Sequence, residues 1–214
     1  MRPALLSKIR KVQKNIQDFI IKHHPALNLE GRAEDFVRIF ENDLPENSKI
    51  LDIGGGWGFY HKPLTKRGHE HLVLDVVKPR VKKCPVLVYD GNRIPFPDKS
   101  FDVSLFVTVL HHVPDPEALV REAIRVTRGK VILIEDLYHH PLGRWWTVKR
   151  DQILNIEFFG HPKNFKTAAS WITLFENIGT SLAKKQEVKT SISGFSILNG
   201  VFVFDVKKPA QSID

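Results

Sequence analysis

The run Asp52-Ile53-Gly54-Gly55-Gly56-Trp57-Gly58, entered from the apolar pair Ile50-Leu51, constrains this chain more than any other stretch. Four glycines in five positions remove the Cβ atoms from a turn, so the backbone can bend tightly and lie against a ligand. A helix starting directly afterwards would present unpaired N–H groups to an anionic group. The spacing then limits the ligand. A dinucleotide fingerprint needs G-x-G-x-x-G. Counted from Gly54, its last glycine falls on Phe59; counted from Gly55, its second falls on Trp57. No Gly-Lys-Ser or Gly-Lys-Thr follows, which excludes a P-loop. The pattern that fits is D-x-G-x-G-x-G, with Asp52, Gly54, Gly56 and Gly58 in register and Gly55 between them.

Around this loop the hydrophobic pattern alternates. Short apolar runs at Lys49–Ile53, His71–Asp75, Pro85–Tyr89, Phe101–Val107 and Lys130–Glu135 read as strands. Helical periodicity falls at 31–42, 58–68, 115–127 (stopping at Gly129), 143–158 and 167–178. Near-continuous apolar strands alternating with helices predict an α/β chain with a doubly wound, mainly parallel sheet covered on both faces. About ten residues separate Asp75 from Val86, too few for a full crossover helix, so at most one helical turn is expected there. Two late strands, near 182–190 and 199–207, are expected to be joined by a turn at Asn199-Gly200, the last one antiparallel. The whole reads as one domain: a helical cap over 1–46, a ligand-binding core over 47–136, a helical lid over 137–180 and C-terminal strands over 181–214.

Two acids follow the loop at informative places. Asp75 ends the second strand, 21 residues after Gly54, where a carboxylate can accept ribose hydroxyls. Asp90 ends the third strand and is followed by Gly91-Asn92. Together with the stretches Asp90–Asp102, Val107–Val113 and Glu122–Val126, the loop resembles motif I and its surroundings in the class I S-adenosylmethionine-dependent methyltransferases. The subgroup most similar is the one that includes ubiquinone and menaquinone biosynthesis enzymes. The resemblance covers about residues 47–136. It implies a Rossmann-like, seven-stranded sheet and S-adenosylmethionine as cofactor. It further implies that Asp52 and Gly54, Gly55, Gly56 and Gly58 form the cofactor loop, that Asp75 holds the ribose, and that Asp90 and Gly91 meet the adenine. No metal is implied.

Because the cofactor's methyl group is already electrophilic, the protein's task is to align a nucleophile and exclude water. A base is needed only for a poorly ionised acceptor. His111 and His112, after the fourth strand, are the candidate catalytic residues, the alternative being that they cap the strand and helix. Tyr138, His139 and His140 are further candidates, with an exposed loop as the alternative. Trp145, Trp146, Phe158, Phe159 and Phe165 supply either an apolar acceptor wall or simple packing for the lid. Exocyclic-amine methylation of nucleic acid would call for an Asn/Asp-Pro-Pro-aromatic motif, and the corresponding place reads Thr108-Val109-Leu110-His111. Cys84, the sole cysteine, is expected away from the site, which argues against C5 pyrimidine chemistry; a single cysteine also rules out an internal disulfide framework.

The formal charge of +8 leaves two readings open, an anionic partner or a solvated Lys-rich surface. The first 24 residues read as an amphipathic helix, with Leu5, Ile9, Val12, Ile16 and Phe19 on one face. It could cover the cofactor, touch anionic lipid as a peripheral contact, or dock a partner or nucleic acid. The expectation is a cytoplasmic enzyme acting on a small, hydrophobic acceptor. The competing readings are an RNA methyltransferase using the basic surface and a non-catalytic S-adenosylmethionine-binding protein.

Overall fold

A computed structural model describes residues 12, 15–20, 22–23, 27–79, 82–155 and 162–207. Seven strands form one sheet: β1 Lys49–Ile53, β2 Glu70–Asp75, β3 Val86–Val88, β4 Phe101–Val107, β5 Thr127–Asp136, β6 Thr180–Ile192 and β7 Phe195–Val206. Their order is β3-β2-β1-β4-β5-β7-β6. The first five pair in parallel, and β7 runs antiparallel to both β5 and β6. The helices are α1 Leu29–Phe40, α2 His61–Thr65, α3 Pro116–Val126, α4 Pro141–Asn155 and α5 Ala168–Asn177. The chain leaves β1 for β2 and β3 on one side, then returns to β4 on the other. That reversal is the switch point at which open α/β sheets bind ligands.

Strand alternation feeds two cores. Leu51 and Ile53 of β1 face α3 and α5, where Val120, Trp171, Phe175, Phe202 and Phe204 are buried. Ile50 faces the opposite way, into a cluster with Phe36, Val37 and Phe40 of α1 and Leu64 of α2. α1 therefore buries a stripe at i, i+3, i+4 and i+7 (Ala33, Phe36, Val37, Phe40). α3 begins on Asp115, whose side chain accepts from the Ala118 N–H, with Pro116 at its first position. α5 begins on Thr167, which accepts from the Ser170 N–H.

The structure corrects two sequence expectations. The β6–β7 turn is Ser193-Gly194, both with positive φ (50° and 82°), the conformation of a two-residue hairpin turn. Asn199 and Gly200 lie inside β7, paired to Asp136 and Glu135 of β5. The helix before β5 ends at Val126, and Gly129 lies within the strand. In the N-terminal segment residues 15–20 are helical, as the spacing predicts, with Val12, Ile16 and Phe19 exposed and Asp18 buried. The reason is polar: Asp18 accepts from the Trp57 indole N–H (2.8 Å), and the Gln17 amide donates to the Asn155 carbonyl. The rest of that predicted helix, including Leu5 and Ile9, lies outside the described residues.

Between Asp75 and Val86 no helix forms among the described residues, as the short spacing predicts. Among the described residues no helix is long and apolar enough to cross a membrane. Phe175 stacks on Phe204 at 4.4 Å between ring centroids, both fully buried. Phe175→Ala is expected to cost about 3–5 kcal/mol, read as a shift of the urea midpoint at unchanged slope.

Candidate active site

Strands β1, β2, β4 and β5 end along one edge, and the loops that leave them surround a cavity of about 1050 Å³. Its walls include Gly54, Gly56, Asp75, Asp90, His112 and Asp151. Gly54, Gly56 and Gly58 all adopt positive φ, as D-x-G-x-G-x-G implies. At Gly54 the need is also steric, since a Cβ would come within 2.2 Å of Val109 Cγ2.

Asp75 is placed by backbone. One carboxylate oxygen accepts from the Gly56 N–H (2.9 Å), the other from the Val77 N–H (2.9 Å). The end of β2 and the loop after β1 thus hold each other, with the carboxylate at the cavity wall. Asp90 stands at the rim, exposed, and accepts from the Asn92 N–H at 2.9 Å. That bond holds its carboxyl below the usual range. Gly91 follows with φ 84°. Asp52, which also borders the cavity, is fully buried, with Oδ2 at 3.3 Å from His71 Nε2.

Near the end of β5, Glu135 is fully buried. One of its oxygens accepts from the backbone N–H groups of Val109 and Leu110 (3.0 and 2.7 Å). The other meets His111 Nδ1 at 2.5 Å. Thr108, just ahead, carries φ 49°, an uncommon conformation for a β-branched residue and one that concentrates at functional sites. His111 Nε2 lies 3.5 Å from Asp151 Oδ1, and its ring stacks on Phe165 at 4.2 Å. Burial opposes a charge here, but the Glu135 and Asp151 carboxylates outweigh it and push the His111 pKa up to about 10. Asp151 shows the converse: burial raises its pKa, yet the facing His111 brings it below the usual value.

His111 thus lies between two acids, Glu135 and Asp151, whose charges favour its protonated form. His112 is more open, its side chain 22% exposed, with Nε2 at 3.7 Å from Asp151 Oδ1. The cavity reaches both histidines but not Tyr138, His139 or His140. His140 Nδ1 accepts from the Gly143 N–H at the start of α4, and His139 pairs with Glu187 at 3.4 Å. Trp145 and Trp146 point outward, 55% and 47% exposed. Phe158 and Phe159 lie outside the described residues.

Sequence reading missed Glu135, Asp151 and a buried network on the same edge. In that network Arg150 Nη2 pairs with Asp136 (2.6 Å), and Asn199 joins Asp136 (2.7 Å) to Arg32 (3.0 Å). The available signal was weak: two acids at the end of β5, and single charges on helices whose facing could not be read. Cys84 is the other surprise. A Cβ on Gly58 would fall 2.6 Å from its sulfur, so the cysteine lies against the glycine loop, though it is not among the residues that line the cavity.

A raised histidine pKa carries a sign. Stability from the His111 cation is fully present below about pH 6.5 and is lost as pH rises through about 10. Histidine NMR is expected to show one imidazole still protonated at pH 8, with thermal stability falling from pH 8 to 10. If every ring deprotonates near pH 6.5, the assignment is overturned.

Residues 51–134 match the sequence model of the family described as a methyltransferase domain. An uncharacterized methyltransferase from Mycobacterium sp. (strain KMS) is 34% identical over 108 residues, covering 46% of this chain and 43% of that protein. A demethylmenaquinone methyltransferase from Paenarthrobacter aurescens is 28% identical over 113 residues, covering 49% and 44%. The chain thus spans under half the length of these curated relatives. Among solved structures, an S-adenosylmethionine-dependent methyltransferase from Methanosarcina mazei superposes with a TM-score of 0.63 at 21% identity, over 80% of this chain and 98% of that one. Residues 51–134 of this chain are thus similar in sequence to a methyltransferase domain, and the fold is that of solved S-adenosylmethionine-dependent methyltransferases.

Proposed function

We propose that the protein transfers a methyl group from S-adenosylmethionine to a small acceptor with a largely apolar body, its reacting atom beside His112. The observation that carries this reading is the cavity at the strand ends. At about 1050 Å³ it exceeds the roughly 300–1,000 Å³ usual for one small ligand. It runs without a break from Asp75 and Asp90 to His112, Phe59, Phe195 and Ile197.

The residues fit an adenosyl ligand at the first end. The glycine loop offers a backbone cradle, and Asp75 is already oriented by two N–H groups. When bound, the cofactor supplies an electrophilic sulfonium methyl. The chain's own contribution is placement. Residues 15–20 are tied to the loop by the Asp18–Trp57 bond. Glu135 fixes the backbone of Val109 and Leu110 and so the wall between the two ends. His112, with Asp151 behind it, is the group placed to take a proton from a hydroxyl or amine acceptor.

The apolar lining favours a small molecule over a polynucleotide, whose backbone would call for a groove of lysines and arginines. Labelled S-adenosylmethionine incubated with a metabolite extract is expected to put label into a small, organic-soluble product identified by mass. Label in RNA, or none anywhere, would overturn the reading.

Two variants divide the cavity. Asp75→Ala is expected to weaken cofactor binding at least tenfold, about 1.4 kcal/mol, by calorimetry; an unchanged affinity would sink the ribose assignment. His112→Ala is expected to leave that affinity intact while lowering turnover about 10²-fold. Full turnover in the variant would remove His112 from the reaction.

A further inference from the structure

Beneath the glycine loop, on the face away from the acceptor end, three side chains converge from separate elements. His61 comes from the first turn of α2, His71 from β2 and Cys84 from the connection ahead of β3. Their donor atoms all lie within 4.8 Å of one another. The two imidazoles meet Nδ1 to Nδ1 at 3.3 Å. Methyl transfer makes no use of any of them.

A simple hydrogen bond between the rings, with an inert buried thiol alongside, would explain part of this. It does not explain Asp52. That carboxylate is fully buried, and neither oxygen has a hydrogen-bond partner among the described residues. A buried carboxylate left in that state is costly. Its nearest polar neighbour is His71 Nε2 at 3.3 Å, itself without a hydrogen bond. The same ring therefore faces a carboxylate through one nitrogen and the His61–Cys84 donors through the other. Metal-bound histidines carry this arrangement, with the far ring nitrogen turned to a carboxylate that fixes tautomer and orientation.

We propose that His61, His71 and Cys84 bind one zinc-class divalent cation, with Asp52 as the carboxylate that orients His71. Two nitrogens each about 2.0–2.1 Å from a tetrahedral zinc lie about 3.3 Å apart, which is the separation of the two Nδ1 atoms. Two imidazoles and a thiolate suit zinc and not magnesium or calcium, which take oxygen. Binding converts the Cys84 thiol to thiolate and releases its proton to solvent. The two positive charges of the cation are then met by one thiolate and one carboxylate, so the buried group is neutral overall. Three protein ligands leave a fourth position for water. The cation would also tie three elements together under the loop, where the Gly58 backbone rests on the Cys84 sulfur.

The site is independent of the proposed reaction, and its test reads metal and not turnover. Protein stripped with chelator, given excess zinc and desalted is expected to retain one equivalent by mass spectrometric metal analysis. Cys84→Ser and His61→Ala are each expected to retain less than a tenth of that. His112→Ala, which opens the other histidine-rich cluster, formed by His111, His112 and Asp151, is expected to retain all of it. Zinc should raise the melting temperature of the parent but not of Cys84→Ser. Cobalt(II) added to the stripped parent should show a thiolate-to-metal charge-transfer band, which keeps the test open if a variant does not fold. No retained zinc, retention unchanged in Cys84→Ser and His61→Ala, loss in His112→Ala, or a cobalt spectrum without the thiolate band would each overturn the proposal.

Discussion

A carboxylate near the end of one strand, accepting N–H groups from the loop that follows a neighbouring strand, occurs twice along the carboxyl edge of this sheet. Asp75 of β2 holds Gly56, after β1. Glu135 of β5 holds Val109 and Leu110, after β4. Parallel strands end with their backbone groups unpaired, and each loop must find partners or leave polar groups orphaned. These two acids supply the partners and lock neighbouring loops together. Because β1 and β4 are adjacent, the two locked loops stand side by side at the switch point. The cavity is the gap between them, so its shape is a consequence of the same bonds that finish the strands.

The two clamps differ in what else they do. Asp75 sits at the cavity wall, half-buried, available to a polar ligand as well as to backbone. Glu135 is sealed, and the remainder of its capacity is spent on His111. The result is a cation fixed between Glu135 and Asp151, one residue before His112. That pairing anchors the short turn that carries its neighbour. Of two adjacent histidines that line the cavity, His111 is buried between the acids and His112 is the more open.

This contrast marks the limit of what could be read from the residues in order. The glycine loop, Asp75 and the five parallel strands were legible because their signals are local: spacing, apolar runs and the short gap after Asp75. The Asn199-Gly200 pair misled because a turn-like dipeptide can also sit inside a strand when its neighbours demand it. There the Asn199 amide is used to join Asp136, Thr190 and Arg32. Val12, Ile16 and Phe19 kept a helical period, yet a pair of polar contacts at Gln17 and Asp18 decided which side faced the protein. His111 could not be assigned a role without knowing that acids from β5 and α4, 24 and 40 residues away in sequence, close on it.

The missing helix between β2 and β3 has a consequence of its own. With so few residues to cross from one strand to the next, the connection cannot arch over the sheet and must stay against the glycine loop. The Lys83 N–H donates to the Trp57 carbonyl at 2.8 Å, and its ammonium pairs with Glu30 of α1. Cys84 is thereby set under Gly58 and within reach of both histidines. Trp57, bulky for such a loop, is held from the other side by Asp18. The loop is thus held above by the Asp18 side chain and below by the Lys83 backbone and Cys84. Its conformation is set by packing and polar contacts that exist before anything binds, so less ordering remains to oppose binding.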